Sequence, residues 1–249
     1  MTPFWIALQF LTTCPVQLKA MPTPKQNGQS LLFYPVVGLL IGAVLWAVVW
    51  CLAPVALVLQ TAIIVVLWTW LTGGLHYDGL ADSADAWVGG FGDRERTLSI
   101  MKDPSCGPIG VLSIVITVVL KAAAIYVLLE QDYTICLLML PCLARTAPLI
   151  LLSTCNYVRQ GGIAQHIAKH LSKKWVLGVI LLTVMVTLSL GVVGLLMLLS
   201  FAMGLMYLRA KFMQRLGGIT GDTIGASIEI LETVMILVLA IFLSAEISF

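Results

Sequence analysis

The chain reads as long apolar runs separated by short polar loops. Seven runs of about 16 to 22 residues stand out, near 32–53, 55–75, 108–129, 134–153, 175–190, 192–208 and 230–246. A bilayer core takes roughly 20 residues of helix, so each run predicts a membrane span. The fifth and sixth are short, about 16 residues each, near the lower limit for a crossing. Gly191 between them predicts a hairpin; one long bent helix is the alternative, and it moves the C-terminal loop to the opposite side. The expected architecture is all-α: a polytopic bundle of about seven transmembrane helices, with residues 1–249 as one integral membrane domain. No internal repeat is evident, and "MPTPKQNGQ" before the first run is the one short polar tract of biased composition.

Composition agrees with this pattern. The 249 residues are 60% hydrophobic and 10% charged, with mean hydropathy +1.02, whereas a soluble domain is about a quarter charged. A net charge of +2 suggests no nucleic-acid partner. The six cysteines, at 14, 51, 106, 136, 142 and 155, form no C-x-x-C pair, so neither a disulfide framework nor a zinc site is expected. Met1 to Thr13 has no basic start and no clear cleavage site, so no secretory leader is expected.

Charge then orients the spans. Of the 14 Lys and Arg, 12 fall on one side of the alternating count: Lys19 and Lys25; Arg94, Arg96 and Lys102; Arg159, Lys169, Lys173 and Lys174; Arg209, Lys211 and Arg215. The opposite loops, near 54, 130–133 and 191, carry none. The positive-inside rule puts the N-terminus and the basic loops in the cytoplasm, in a cytoplasmic (inner) membrane, and the C-terminus outside. Lys121 and Arg145 lie within spans. An intramembrane cation is a functional candidate or the partner of an acid; Lys121 reads more simply as a snorkelling side chain.

The chemistry concentrates in three loops on the basic side. "GGLHYDGLADSADAW", Gly73 to Trp87, places Asp78, Asp82 and Asp85 at i, i+4 and i+7, one face of a helix. Three like charges repel unless something positive joins them, and carboxylate oxygens suit a hard cation such as Mg²⁺. His76 is a proton acceptor or phosphate contact. In "LSIMKDPSCGPIGVL", Ser105 is a candidate cap and Pro108 a first-turn residue. The helix that begins there offers free N–H groups to an anion, with Lys102 as added charge. "GGITGDTIGASIEILE" sets Asp222 and Glu229 seven residues apart on one face, with Glu232 deeper. Two carboxylate sets on separate helices then share one or two Mg²⁺ ions and hold phosphate groups in line. His166 and His170 are spaced i, i+4, but no Glu follows His166 as in a metalloprotease, and an amphipathic interfacial helix is the better reading. The Pro/Gly-bearing "FYPVVGLLIG" predicts close helix packing.

These motifs closely resemble the adenosylcobinamide-GDP ribazoletransferase (cobalamin-5'-phosphate synthase) family. The resemblance rests on "TGGLHYDGLADSADAW", "RERTLSIMKDPSCGPIGVL", "GGITGDTIGASIEILE" and "YPVVGLLIG", in the same order and along nearly the whole chain; 154–210 carries little of it. It implies an integral membrane, Mg²⁺-dependent enzyme of late cobalamin synthesis. Its partners are adenosylcobinamide-GDP, α-ribazole or α-ribazole 5'-phosphate, and the lipid bilayer. The ribazole 3'-hydroxyl attacks the cobinamide-side phosphorus; adenosylcobalamin, or its 5'-phosphate, forms and GMP leaves. Carried onto this chain, the metal ligands are Asp78, Asp82, Asp85, Asp222 and Glu229. His76 and Asp82 are the catalytic candidates, and Lys102, Ser105, Arg145 and Thr220 the substrate contacts. Small-residue faces also permit a homo-oligomer.

Two other readings compete. A CDP-alcohol phosphatidyltransferase carries D-x-x-D-G-x-x-A-R; Asp78-Gly79 matches its second Asp and Gly, but Leu75 replaces the first Asp and Asp82-Ser83 stands where Ala-Arg belongs. A cation transporter suits intramembrane acids, yet these acids sit at one face rather than a midplane, and no inverted repeat is visible.

Overall fold

In a bilayer every backbone polar group must be satisfied within its own segment, so the apolar runs become helices. The computed structural model describes residues 2–18, 20–159 and 172–246. Lys19, Lys169 and the His166/His170 pair lie outside the described residues. Twelve α-helices are present among those described: α1 (Thr2–Leu11), α2 (Pro24–Ser30), α3 (Tyr34–Cys51), α4 (Leu57–Leu71), α5 (Leu75–Gly89), α6 (Arg94–Ile100), α7 (Pro108–Glu130), α8 (Cys136–Ala144), α9 (Ala147–Thr154), α10 (Lys173–Leu188), α11 (Val192–Leu216) and α12 (Gly221–Glu246).

All seven predicted runs are helical, but their ends differ. The first span starts earlier, because Thr23 and Gln26 form a capping box with Pro24 at the first turn, and one helical stretch runs Pro24–Cys51. Five stretches are long and apolar enough to cross a membrane by themselves: Pro24–Cys51, Pro108–Glu130, Cys136–Thr154, Val192–Leu216 and Gly221–Ala245. Helix α4 has 15 residues and α10 has 16, so both are marginal crossings. The fifth and sixth runs are two helices rather than one. Gly191 breaks them with φ 68, and Gly194 sits hard against the backbone carbonyl of Thr187.

The turn after α4 positions the site. Gly73 and Gly74 both adopt positive φ (62 and 68), which few side-chain-bearing residues tolerate. They bend the chain by 87°, so α5 runs across the helix ends instead of continuing the span.

Helices α8 and α9 form the middle of the bundle. Cys136, Leu137, Leu140, Ala144, Ala147, Leu149 and Leu151 are completely buried. Gly38 and Gly42 of α3 close directly onto the α8 backbone at Pro141 and at Leu137–Leu138, as the small-residue stretch predicts. The outward faces of α7, α10 and α11 expose Val115, Val119, Leu182, Met185 and Met203, an apolar surface suited to lipid.

The basic loops meet at one end of the bundle. Arg94 donates from Nε to the Leu216 carbonyl at the end of α11 (2.7 Å). Arg215 donates to Thr97 Oγ1 (2.9 Å) and to the Trp87 carbonyl (2.8 Å). These cations hold orphan carbonyls at helix C-termini.

Candidate active site

Helix α5 crosses α12 where glycine removes the side chains that would hold them apart. A Cβ on Gly79 would lie 2.7 Å from the Asp222 carbonyl oxygen, and Gly225 faces the His76 backbone. This crossing brings the first acidic motif onto the third. Asp78 and Asp222 line one cavity of about 630 Å³ together with His76, Tyr157 and Arg159. Asp78 and Asp82 line a second of about 580 Å³, with Pro104 and Cys106 beyond it. Asp78 therefore stands on the wall between two pockets, each within the size range of ligand sites.

The carboxylates are not equivalent. Burial, and then the like charges of Asp78 and Asp222, push the Asp82 carboxyl up to about 6. Asp222 is held by Arg159, whose Nη1 donates to Oδ2 at 3.0 Å. Asp85 points the other way: Oδ2 accepts from the Gly107 N–H (2.7 Å) and Oδ1 from the Gly110 N–H (2.8 Å). Both its oxygens thus cap the first turn of α7 from outside the helix, and Gly107 and Gly110 leave room for them. Asp85, expected beside Asp78 and Asp82 as a ligand, is committed to this bond instead.

The remaining expected site residues separate along the same lines. Ser105 is exposed and does not cap α7; its own N–H donates to Asp103 Oδ1 (2.9 Å), and the cap position belongs to Gly107, with Pro108 at the first turn as expected. Lys102 is exposed on the loop before α7. Thr220, expected to touch substrate, is buried and caps α12: its Oγ1 accepts from the Thr223 N–H (3.2 Å), and its N–H donates to Thr223 Oγ1 (2.9 Å).

Glu229 and Arg145 belong to a network inside the bundle. Lys121 Nζ donates to Glu229 Oε2 and to Glu232 Oε2 (2.6 Å), and Arg145 donates to Glu232 Oε1 and to the Pro141 carbonyl (3.1 Å). All four residues are at most 3% exposed, and the two positive and two negative charges balance. The Trp68 and Tyr77 rings cover Lys121 at 4.9 and 5.4 Å. Paired burial is the arrangement a membrane interior tolerates. Lys121 is accordingly an ion-pair partner at depth rather than a snorkelling residue. Arg145 is too deep to clamp a phosphate, and Glu229 has its charge met by Lys121. His76 stands between network and cavity: its Nδ1 lies 3.9 Å from Glu229 Oε1 and has no hydrogen-bond partner among the described residues.

With this geometry in place, comparison with known proteins decides the family. The cobalamin-5-phosphate synthase family model matches residues 3–240. The chain belongs to the cobalamin-5-phosphate synthase family. A relative named adenosylcobinamide-GDP ribazoletransferase in Acinetobacter baumannii is 55% identical over 238 residues, covering 94% of this chain and 95% of the relative. A relative of the same name in Pseudomonas fluorescens is 49% identical over 243 residues, covering 97% and 100%. No solved structure matches the chain.

In this transferase of cobalamin biosynthesis, two of the motifs that carry the family likeness meet at the α5–α12 crossing, while "YPVVGLLIG" packs on α8. Tyr157 and Arg159, which also line the cavity, lie outside those motifs. Arg159 follows a short parallel bridge, Tyr157 to Ile219, closed by Val158 N–H to the Ile219 carbonyl (3.0 Å) and Ile219 N–H to the Asn156 carbonyl (2.9 Å). That bridge delivers the guanidinium to Asp222. The loop has a glycine pair, Gly161-Gly162, but no acidic residue, so no carboxylate spacing marks Arg159 off from the other loop cations.

Proposed function

We propose that the chain joins adenosylcobinamide-GDP to α-ribazole, or to α-ribazole 5'-phosphate, giving adenosylcobalamin or its 5'-phosphate and releasing GMP. The supporting observation is the convergence of Asp78, Asp82 and Asp222, from two helices, between two cavities at the basic end of the bundle. In the proposed topology that end faces the cytoplasm of an inner-membrane protein, following the distribution of Lys and Arg.

The donor set suits Mg²⁺. All three groups are hard carboxylate oxygens, and Asp222 alone has a cationic partner. Burial first, and then the like charges of Asp78 and Asp222, raise the pKa of Asp82, and a cation bound there would offset that repulsion. Among the described residues no three His, Cys, Asp or Glu side chains stand as a ready-formed cage, so substrate phosphate oxygens would supply part of the coordination. Bound there, Mg²⁺ neutralises phosphate oxygens and eases departure of a phosphate leaving group. The protein's own residues do the rest. Asp78 fixes the level at which the two pockets meet, Lys102 is an exposed cation available to the diphosphate, and His76 is the candidate acceptor for the proton of the attacking 3'-hydroxyl.

Asp82→Asn keeps size and hydrogen bonding and removes charge. It should abolish transfer, by about a hundredfold or more, while the protein is extracted from membrane and unfolds like the parent. Full transfer by Asp82→Asn sinks the assignment of this site.

A further inference from the structure

The 630 Å³ cavity has a composition that does not suit a diphosphate or a corrin. Its mouth carries Asp78, Asp222 and Arg159. Behind them its walls are apolar, built by Leu31, Leu152, Ile224 and Ile228. Phe10 and Tyr34, stacked with ring centroids 6.1 Å apart, stand on one side. Asn27 also faces the cavity, half-buried, and its side-chain amide makes no hydrogen bond among the described residues. A buried His76, whose Nδ1 has no partner among the described residues, lies in the same wall.

We infer that this cavity takes the aromatic base of the nucleoside acceptor, with the ribose lying at the Asp78–Asp222 mouth. The inference rests on the transfer reaction proposed above and assigns one substrate to one pocket. Three arguments carry it. A polyanionic diphosphate gains nothing from apolar walls and loses its hydration there. A corrin with its amide side chains is larger than the cavity and has too many polar groups for its lining. A flat, uncharged heteroaromatic base fits both volume and chemistry: its ring lies among aliphatic and aromatic side chains, and the Asn27 amide can donate to a free ring nitrogen. The sugar hydroxyls then emerge beside the carboxylates, and the donor's phosphates occupy the side of Asp78 where Asp82, Pro104 and Cys106 line the second cavity.

Ile224 is the residue to change, because it is half-buried on the wall and two residues beyond Asp222. Ile224→Trp narrows the cavity; Ile224→Ala enlarges it. Initial rates are measured with purified protein, Mg²⁺, adenosylcobinamide-GDP, and either α-ribazole or the riboside of unsubstituted imidazole. Ile224→Trp should raise the KM for α-ribazole about tenfold or more, leave the KM for adenosylcobinamide-GDP within about twofold, and retain turnover of the smaller riboside. Retained turnover shows that the variant folds. Should it not fold, Ile224→Ala should raise the α-ribazole KM severalfold, again without moving the donor KM. A rise in the donor KM alone, or an unchanged acceptor KM in both variants, overturns the inference. Wild-type protein that transfers nothing to α-ribazole overturns the proposed reaction instead, so the two failures are distinct.

Discussion

The α5–α12 crossing predicts that one methyl group separates stability from activity. In Gly79→Ala the new Cβ would begin 2.7 Å from the Asp222 carbonyl oxygen and 3.2 Å from its Cα. Ordinary van der Waals contact begins near 3.4 Å, so the two backbones must part by about 0.7 Å. Overpacking of this kind costs ~1–3 kcal/mol. Replacing glycine by alanine inside a helix returns ~1 kcal/mol, leaving a net loss of about 0–2 kcal/mol. Activity answers to geometry instead. A misplacement near 1 Å costs about a hundredfold, and the displaced group is Asp222 relative to Asp78 and Asp82. Transfer should fall about 10- to 100-fold while the unfolding midpoint in detergent moves by only a few degrees. Gly225→Ala, whose Cβ would sit 3.6 Å from the His76 Cα in ordinary contact, is the matched control and should cost far less. Gly79→Ala protein with parental activity would refute the claim that this close approach sets the site.

Three further outcomes follow from named contacts. Lys121→Met leaves Glu229 buried with no cation bonded to it and should destabilise the protein by about 3–5 kcal/mol, read as a lost or strongly lowered unfolding transition; adding Glu229→Gln should recover much of the loss. Asp85→Ala removes both acceptors from the first turn of α7 and should cost about 1–2 kcal/mol, with Asp85→Asn intermediate, measured by thermal unfolding. Gly38→Leu drives a side chain into the α8 backbone at Pro141 and should prevent stable accumulation in membrane, measured by quantitative immunoblot of the membrane fraction.

The bundle was legible because lipid imposes a length and a polarity on every crossing helix. Its ends were not, because capping decides them. The last helix begins at Gly221 rather than near 230 because Thr220 and Thr223 satisfy its first N–H groups. The acidic faces could be read from helical spacing, which a helix preserves locally. What each acid binds could not. Glu229 and Glu232 meet Lys121 across 108 and 111 residues, and Arg145 reaches Glu232 across 87. Asp85 has the same spacing as its neighbours, yet it faces Gly107 and Gly110, 22 and 25 residues on. Arg159 is a site residue only because a parallel bridge to Ile219 carries it there.

The central claim is that the Asp78–Asp82–Asp222 crossing performs a metal-assisted phosphoryl transfer. The most direct test is GMP release from adenosylcobinamide-GDP and α-ribazole by the purified protein in detergent, with Mg²⁺ and with Mg²⁺ chelated. The account predicts GMP and a new cobalamin species in equal amounts with Mg²⁺, and neither without it. Absence of product from folded protein supplied with Mg²⁺, or equal rates with the ion removed, would contradict it.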